Sequence, residues 1–192
     1  MQLTTVLLSL FAAAASAAPS GSCPAPTRKF GIMALRSASP IHFAQASATQ
    51  NKLVLHLPEA KLDAQCTDGK TRRDAILYLK DGELFLYGKD KVQQFFVDRS
   101  GMGQGVLQYY NMAETSPGRR SETKGWAIDG SDNLTFAGSG LLACPSTTDG
   151  SWYVWVSAGI DKPAGQEGCL GFSSRTVTTA EPVKCTYSIY RS

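Results

Sequence analysis

Histidine is scarce in this chain of 192 residues. Only His42 and His56 occur, both in the N-terminal third, and there is no Cys-x-x-Cys pair. Structural zinc sites draw on clustered Cys and His at short spacings, so a metal centre is not expected, and no cofactor motif replaces it. A charge excess is also lacking. Nineteen basic residues face sixteen acidic ones, a net of +3, where a nucleic-acid binder carries a stronger and more clustered basic face. Beyond the N-terminus no apolar run is long enough to cross a bilayer. The C-terminal TYSIYRS is not the hydrophobic tail of a GPI signal. Internal repeats, low-complexity tracts and long amphipathic helices are missing too. The apolar share, 43%, and the charged share, 18%, exclude the disordered class and fit one domain of ordinary size.

The first seventeen residues, MQLTTVLLSLFAAAASA, hold no charged side chain and carry an apolar run from Val6 to Ala15. Ala15-Ser16-Ala17 follows as a small-x-small cleavage signal. Residues 1–17 therefore read as a secretory signal peptide, with cleavage after Ala17 and a mature domain over 18–192. Cleavage one residue later would leave Pro19 first. Export decides how the five cysteines are read. Cys23, Cys66, Cys144, Cys169 and Cys185 all lie in the mature chain, and in an oxidising compartment they should mostly be disulfides. Five is odd, so one is free or bonded to another molecule.

Short strand signals fill the chain. Phe30–Leu35 and Leu53–Leu57 are strand candidates, with Ile41 and Phe43 as apolar anchors in the polar stretch between them. In AILYLKDGELFLYG (75–88), two β-rich runs flank Asp81-Gly82, a dipeptide that accepts the positive φ of a tight hairpin turn. Val92–Val97 comes next. The G-x-G-x-G run of Gly101, Gly103 and Gly105 leads into another strand, Val106–Tyr110. A phosphate cradle needs a helix N-terminus at that point, so a tight turn or bulge is expected. Residues 111–124 form a polar loop holding the dibasic Arg119-Arg120. A second hairpin joins Trp126–Ile128 to Leu134–Phe136, and Asn133-Leu134-Thr135 makes Asn133 an N-glycosylation acceptor at the end of its loop. Leu141–Cys144 and Trp152–Val156 follow, then strands near Leu170–Thr176 and Val183–Tyr190. About ten short strands with frequent turns indicate an all-β, antiparallel, disulfide-braced sandwich or barrel.

No reaction is legible. Gly138-Ser139-Gly140 lacks the elbow of a serine hydrolase. Asp98, Asp129, Asp149, Asp161 and Glu167 could pair in many ways, but turn chemistry explains most of them. Alternation places Trp152, Val154 and Val156 on one face and Tyr153 with Trp155 on the other. That second face is either covered by a neighbouring loop or an aromatic strip of the kind that binds sugars.

FVDRSGMGQG (96–105), GWAID (125–129), LTFAGSGLLACP (134–145), DGSWYVW (149–155) and PAGQEGCLGF (163–172) closely resemble the PhiA family of fungal cell-wall proteins. So do Cys23-Pro24-Ala25-Pro26-Thr27 and Phe30-Gly31-Ile32, and the resemblance spans nearly the whole mature chain. It implies a secreted, non-enzymatic protein of the fungal wall with a role in phialide and conidium (asexual spore) development; some members are allergens. A weaker resemblance joins LYLKDGELFLYGKDKV, GWAI, NLTF and the order Cys66, Cys144, Cys169, Cys185 to the C-terminal domain of Pir-type wall mannoproteins. The Gln-containing repeats that esterify those proteins to glucan are absent here. The comparison implies Cys144–Cys169 and Cys66–Cys185 bridges, with Cys23 unpaired or intermolecular. The expected partners are wall polysaccharide or other wall proteins. The alternative function is a module docking on glucan or chitin through surface aromatics.

Overall fold

In Lys29–Leu35 (β1), Phe30, Ile32 and Ala34 are buried and their neighbours are not, the period of two that a strand shows with one covered face. The computed structural model describes residues 27–147 and 149–190; the expected signal peptide, the cleavage position and Cys23 lie outside them. Ala46–Thr49 (β2), Lys52–Leu55 (β3) and Gln65–Cys66 (β4) follow. Leu77–Lys80 (β5), Glu83–Leu86 (β6), Gln93–Asp98 (β7) and Val106–Asn111 (β8) form a meander. Trp126–Ile128 (β9) and Leu134–Phe136 (β10) make a separate hairpin. Leu141–Pro145 (β11), Trp152–Val156 (β12), Leu170–Thr178 (β13) and Cys185–Thr186 (β14) complete the chain.

The strand order β11-β13-β1-β5-β6-β7-β8-β12 returns to its start because β11 also pairs with β12. Eight antiparallel strands thus close a barrel, and closure removes the free edges on which sheets aggregate. Its interior is apolar, with Phe30, Leu77, Phe95, Tyr109, Leu141 and Val156 among the fully enclosed side chains. One contact at the seam admits only glycine. Gly105 has φ +94°, a Cβ there would lie 2.0 Å from the Val156 carbonyl oxygen, and the Val156 N–H donates to the Gly105 carbonyl at 2.8 Å. The glycine-rich run is a turn, as expected, and its last glycine joins β8 to β12.

The β2–β3 hairpin pairs with the first residues of β12, Trp152 with Leu55 and Tyr153 with Val54. The far end of the same β12 edge pairs Trp155 with Val106 of β8. β2 had no clear strand signal, because Ala-Ser-Ala-Thr is a poor β sequence. Its four residues are all buried, and the Ala46 carbonyl accepts from Ala75 N–H. Small side chains suit that tight position, and the tertiary setting overrides the propensity.

Two expectations need correcting. Phe43 is not an anchor: it is 64% exposed, whereas Ile41 is fully buried. Ala34 bonds both Phe43 and Ala44 across the strands, two residues against one, and this bulge turns Phe43 outward at φ +64°. The expected strand Val183–Tyr190 shrinks to Cys185–Thr186. Beyond it a side chain takes the place of a neighbouring strand. The Gln93 amide donates to the Tyr187 carbonyl at 2.8 Å and accepts from its N–H at 2.9 Å.

Candidate functional site

The residues around Asp149 line a cleft of about 340 Å³. Asp149 opens the turn into β12 and accepts from the Ser151 N–H at 3.1 Å and from the Lys61 ammonium at 2.6 Å. The hydrogen bond from Lys61, then that from the Ser151 hydroxyl, hold its carboxyl far below the usual carboxylate range. Asp63 accepts from the hydroxyls of Thr49 at 2.8 Å and Ser188 at 2.5 Å. A general acid for glycoside cleavage needs a raised carboxyl pKa, and Asp149 is shifted the opposite way. Tyr153 forms part of the cleft wall, with the Lys52 ammonium 4.2 Å from the ring centroid.

Two of the other acidic candidates have turn roles. Asp98 accepts from the Ser100 N–H at 2.9 Å, and Asp129 from the Ser131 N–H at 2.8 Å, the same two-residue turn motif as Asp149 with Ser151. Glu167 pairs with Lys162 at 2.8 Å. His42 accepts from the Arg36 N–H at 3.1 Å, and His56 bonds the Pro40 carbonyl at 2.8 Å. Among the described residues no group of three or more metal-ligating side chains exists.

The three tryptophans do not form one exposed strip. Trp126 is buried, edge-on to Phe136 at 4.9 Å. Trp152 packs against the core, and Trp155 is half-buried with its indole N–H enclosed. Of the proposed aromatic face, Tyr153 lines the cleft beside Asp149. Cys66 is bonded to Cys185 and Cys144 to Cys169. In the β9–β10 loop the Asn133 side-chain nitrogen lies 3.3 and 3.4 Å from the two carboxylate oxygens of Asp129, in a half-buried position.

A second aromatic face was missed. Lys29 pairs with Tyr78, Tyr78 with Phe85, Phe85 with Gln94 and Gln94 with Tyr110, across five strands. These outer-wall side chains pack on each other: Tyr78 stacks on Phe85 at 5.2 Å, and Tyr110 donates to Gln94 at 2.6 Å. Part of the row was legible. A two-residue turn at Asp81-Gly82 fixes the register and sets Tyr78 opposite Phe85.

A family model described as PhiA-like secreted protein matches residues 30–188. The chain is 40% identical over 189 residues to a cell wall protein phiA of Emericella nidulans, covering 98% of this chain and 100% of that one. It is 40% identical over 190 residues to the protein of that name from Aspergillus fumigatus, with the same coverage. For the one from Arthroderma benhamiae the identity is 36% over 187 residues, with 95% and 99% covered. No solved structure matches the chain.

Proposed function

The chain belongs to the PhiA-like family of secreted proteins and is a fungal cell-wall protein, and from this we propose that it acts, without catalysis, as a structural or interaction component of the wall in phialide and conidium development. The observation that carries this reading is full-length correspondence. Relatives named cell wall protein phiA align over 98% of this chain and over all of their own length. The barrel suits such work, since closing eight strands and bracing them with disulfides leaves little free sheet edge in an extracellular setting. In this reading residues 18–192 are one mature domain released by cleavage after Ala17. Asn133 carries an N-linked glycan, its remaining amide N–H still facing Asp129. Retention in the wall runs through polysaccharide or other wall proteins, and Cys23 is available for an intermolecular disulfide.

Deleting the gene and counting phialides and conidia tests the developmental role. Fewer of both with normal hyphae is the expected result; unchanged counts overturn it. Extraction of walls with hot detergent, then with reductant, tests the tether. Release of the native chain only with reductant, and of Cys23→Ser by detergent alone, is expected of a disulfide link. Equal release by detergent shows non-covalent retention.

The Tyr153 cleft supports a second reading, a module that docks on glucan or chitin. Quenching of tryptophan fluorescence by β-glucan or chitin oligomers, lost in Tyr153→Ala, would favour it. An unchanged spectrum removes it.

A further inference from the structure

Register places a cation beside two tyrosines on the outer wall of the barrel. Lys29 opens β1 opposite Tyr78 of β5, and because Phe30 and Leu77 point into the core, Lys29 and Tyr78 both point out. Tyr87 follows the last residue of β6. The chain then folds back tightly at Gly88, where a Cβ would lie 2.2 Å from the Lys91 carbonyl oxygen. Lys184 arrives from the other end of the sequence. It is held there because the Cys185 N–H donates to the Tyr87 carbonyl at 3.0 Å and Cys185 is bonded to Cys66.

The outcome is an open cleft of about 370 Å³ lined by four lysines, Lys29, Lys89, Lys91 and Lys184, and one acidic residue, Asp90. The Lys29 ammonium lies 4.3 Å from the Tyr78 ring centroid and 5.1 Å from that of Tyr87. The Lys184 ammonium lies 5.8 Å from the same Tyr87 ring. Lys89 is paired with Asp90 and Lys91 with Glu114. Among the described residues neither Lys29 nor Lys184 is in an ion pair. Two like charges therefore converge on one ring whose electron-rich face offsets only part of their repulsion. Burial adds to the imbalance by pushing the Lys29 ammonium pKa down. An anion between them would supply the missing partner, and the tyrosines offer flat faces to the apolar side of a sugar ring. Lysine presents a point charge rather than a planar fork, so the site selects for charge and stacking rather than for one anion geometry.

We propose that the cleft formed by Lys29, Tyr78, Tyr87 and Lys184 is a binding site for an anionic polysaccharide, with a phosphodiester or carboxylate group between the two ammoniums and a sugar ring against the tyrosines. The proposal rests on the wall-retention reading above and names one surface and ligand class for it.

Affinity electrophoresis of the mature chain in gels cast with phosphorylated mannan, polygalacturonate, unphosphorylated mannan or β-glucan tests it. The variants are Lys29→Gln/Lys184→Gln, Tyr87→Leu, and Lys70→Gln/Lys162→Gln as a control with the same charge change away from the cleft. Thermal melts certify that each is folded. Retardation by one or both anionic polymers is expected, falling at least tenfold in the cleft pair, several-fold in Tyr87→Leu at unchanged charge, and little in the control. Retardation by phosphorylated mannan alone identifies a phosphodiester ligand, and by polygalacturonate alone a carboxylate. Absence of retardation by either, or equal loss in the control pair, overturns the site. Retardation by β-glucan that ignores the cleft variants refutes the site while leaving wall retention intact. Loss of the native chain from the wall fraction refutes wall retention itself.

Discussion

Gln93 is a polar residue with no exposure inside an apolar barrel. Its amide donates to and accepts from the backbone of Tyr187, so it substitutes for a strand. Replacing it with Met keeps the length of the side chain and removes both partners. Leaving a buried N–H and C=O unpaired costs about 1–3 kcal/mol each. Urea unfolding followed by tryptophan fluorescence should then show Gln93→Met destabilised by about 2–6 kcal/mol. A loss under ~1 kcal/mol would mean that water takes over the amide's bonds. Sequence reading could not find this residue, because a glutamine in a β-rich run reads as an outward-facing side chain. Asp129 and Asp149 are the opposite case. Their place beside glycine identified them as turn acidics, and each accepts from the N–H two residues on.

At the scale of the element, the last eight described residues behave as a strap rather than a strand. Cys185 sits opposite Cys66 in the short β4–β14 pair. Ser188 is held by Asp63, by the Gln50 N–H and by the Tyr109 hydroxyl. The two bridges close loops of very different length, with sequence separations of 119 and 25. Loop-closure entropy alone would make the first worth about 5 kcal/mol and the second about 3.5. Cys66→Ala/Cys185→Ala should therefore lower the melting temperature more than Cys144→Ala/Cys169→Ala, and calorimetry on the two double variants compares them. The reverse order would show that strap hydrogen bonds, not the cross-link, hold the C-terminus. The Asp81-Gly82 hairpin is the element whose sequence was most transparent. Lys80 pairs with Glu83 and Leu77 with Leu86 as a two-residue turn dictates, with both turn residues at positive φ.

For the whole molecule the buried phenols set the alkaline limit. Burial raises Tyr187 to about 12 and pushes Tyr109 well above its ordinary value. A tyrosine whose folded pKa is raised holds its proton more tightly when folded. Its contribution is complete below pH ~10 and is lost as pH rises through the folded value. For Tyr187 that loss amounts to about 3 kcal/mol. Stability by urea titration should be flat to pH ~10 and fall steeply towards 12, with phenolate absorbance rising together with unfolding. Ionisation that precedes unfolding would contradict the enclosed setting of Tyr109 and Tyr187. On the acid side Asp98, Glu122, Asp129 and Asp149 are all lowered by hydrogen bonds, so their contributions persist above pH ~4 and fade below it.

The all-β class, most of the strands, both hairpins and the turn at Gly105 could be read from the sequence, because alternation, turn dipeptides and glycine requirements act over a few residues. The secretory reading and the family were legible for a related reason: cleavage signals and long matching blocks are written in consecutive residues. Barrel rather than sandwich was decided only in three dimensions, since closure depends on β12 pairing with both β11 and β8. So was the fate of Ala46–Thr49, of Phe43 and of the C-terminal strap, where packing against distant residues overrode local propensity. The gathering of Lys29, Tyr87 and Lys184 belongs to the same class. Their separation along the chain leaves no local signature, and only the register of β1 with β5 and the strap's hold on Tyr87 bring them together.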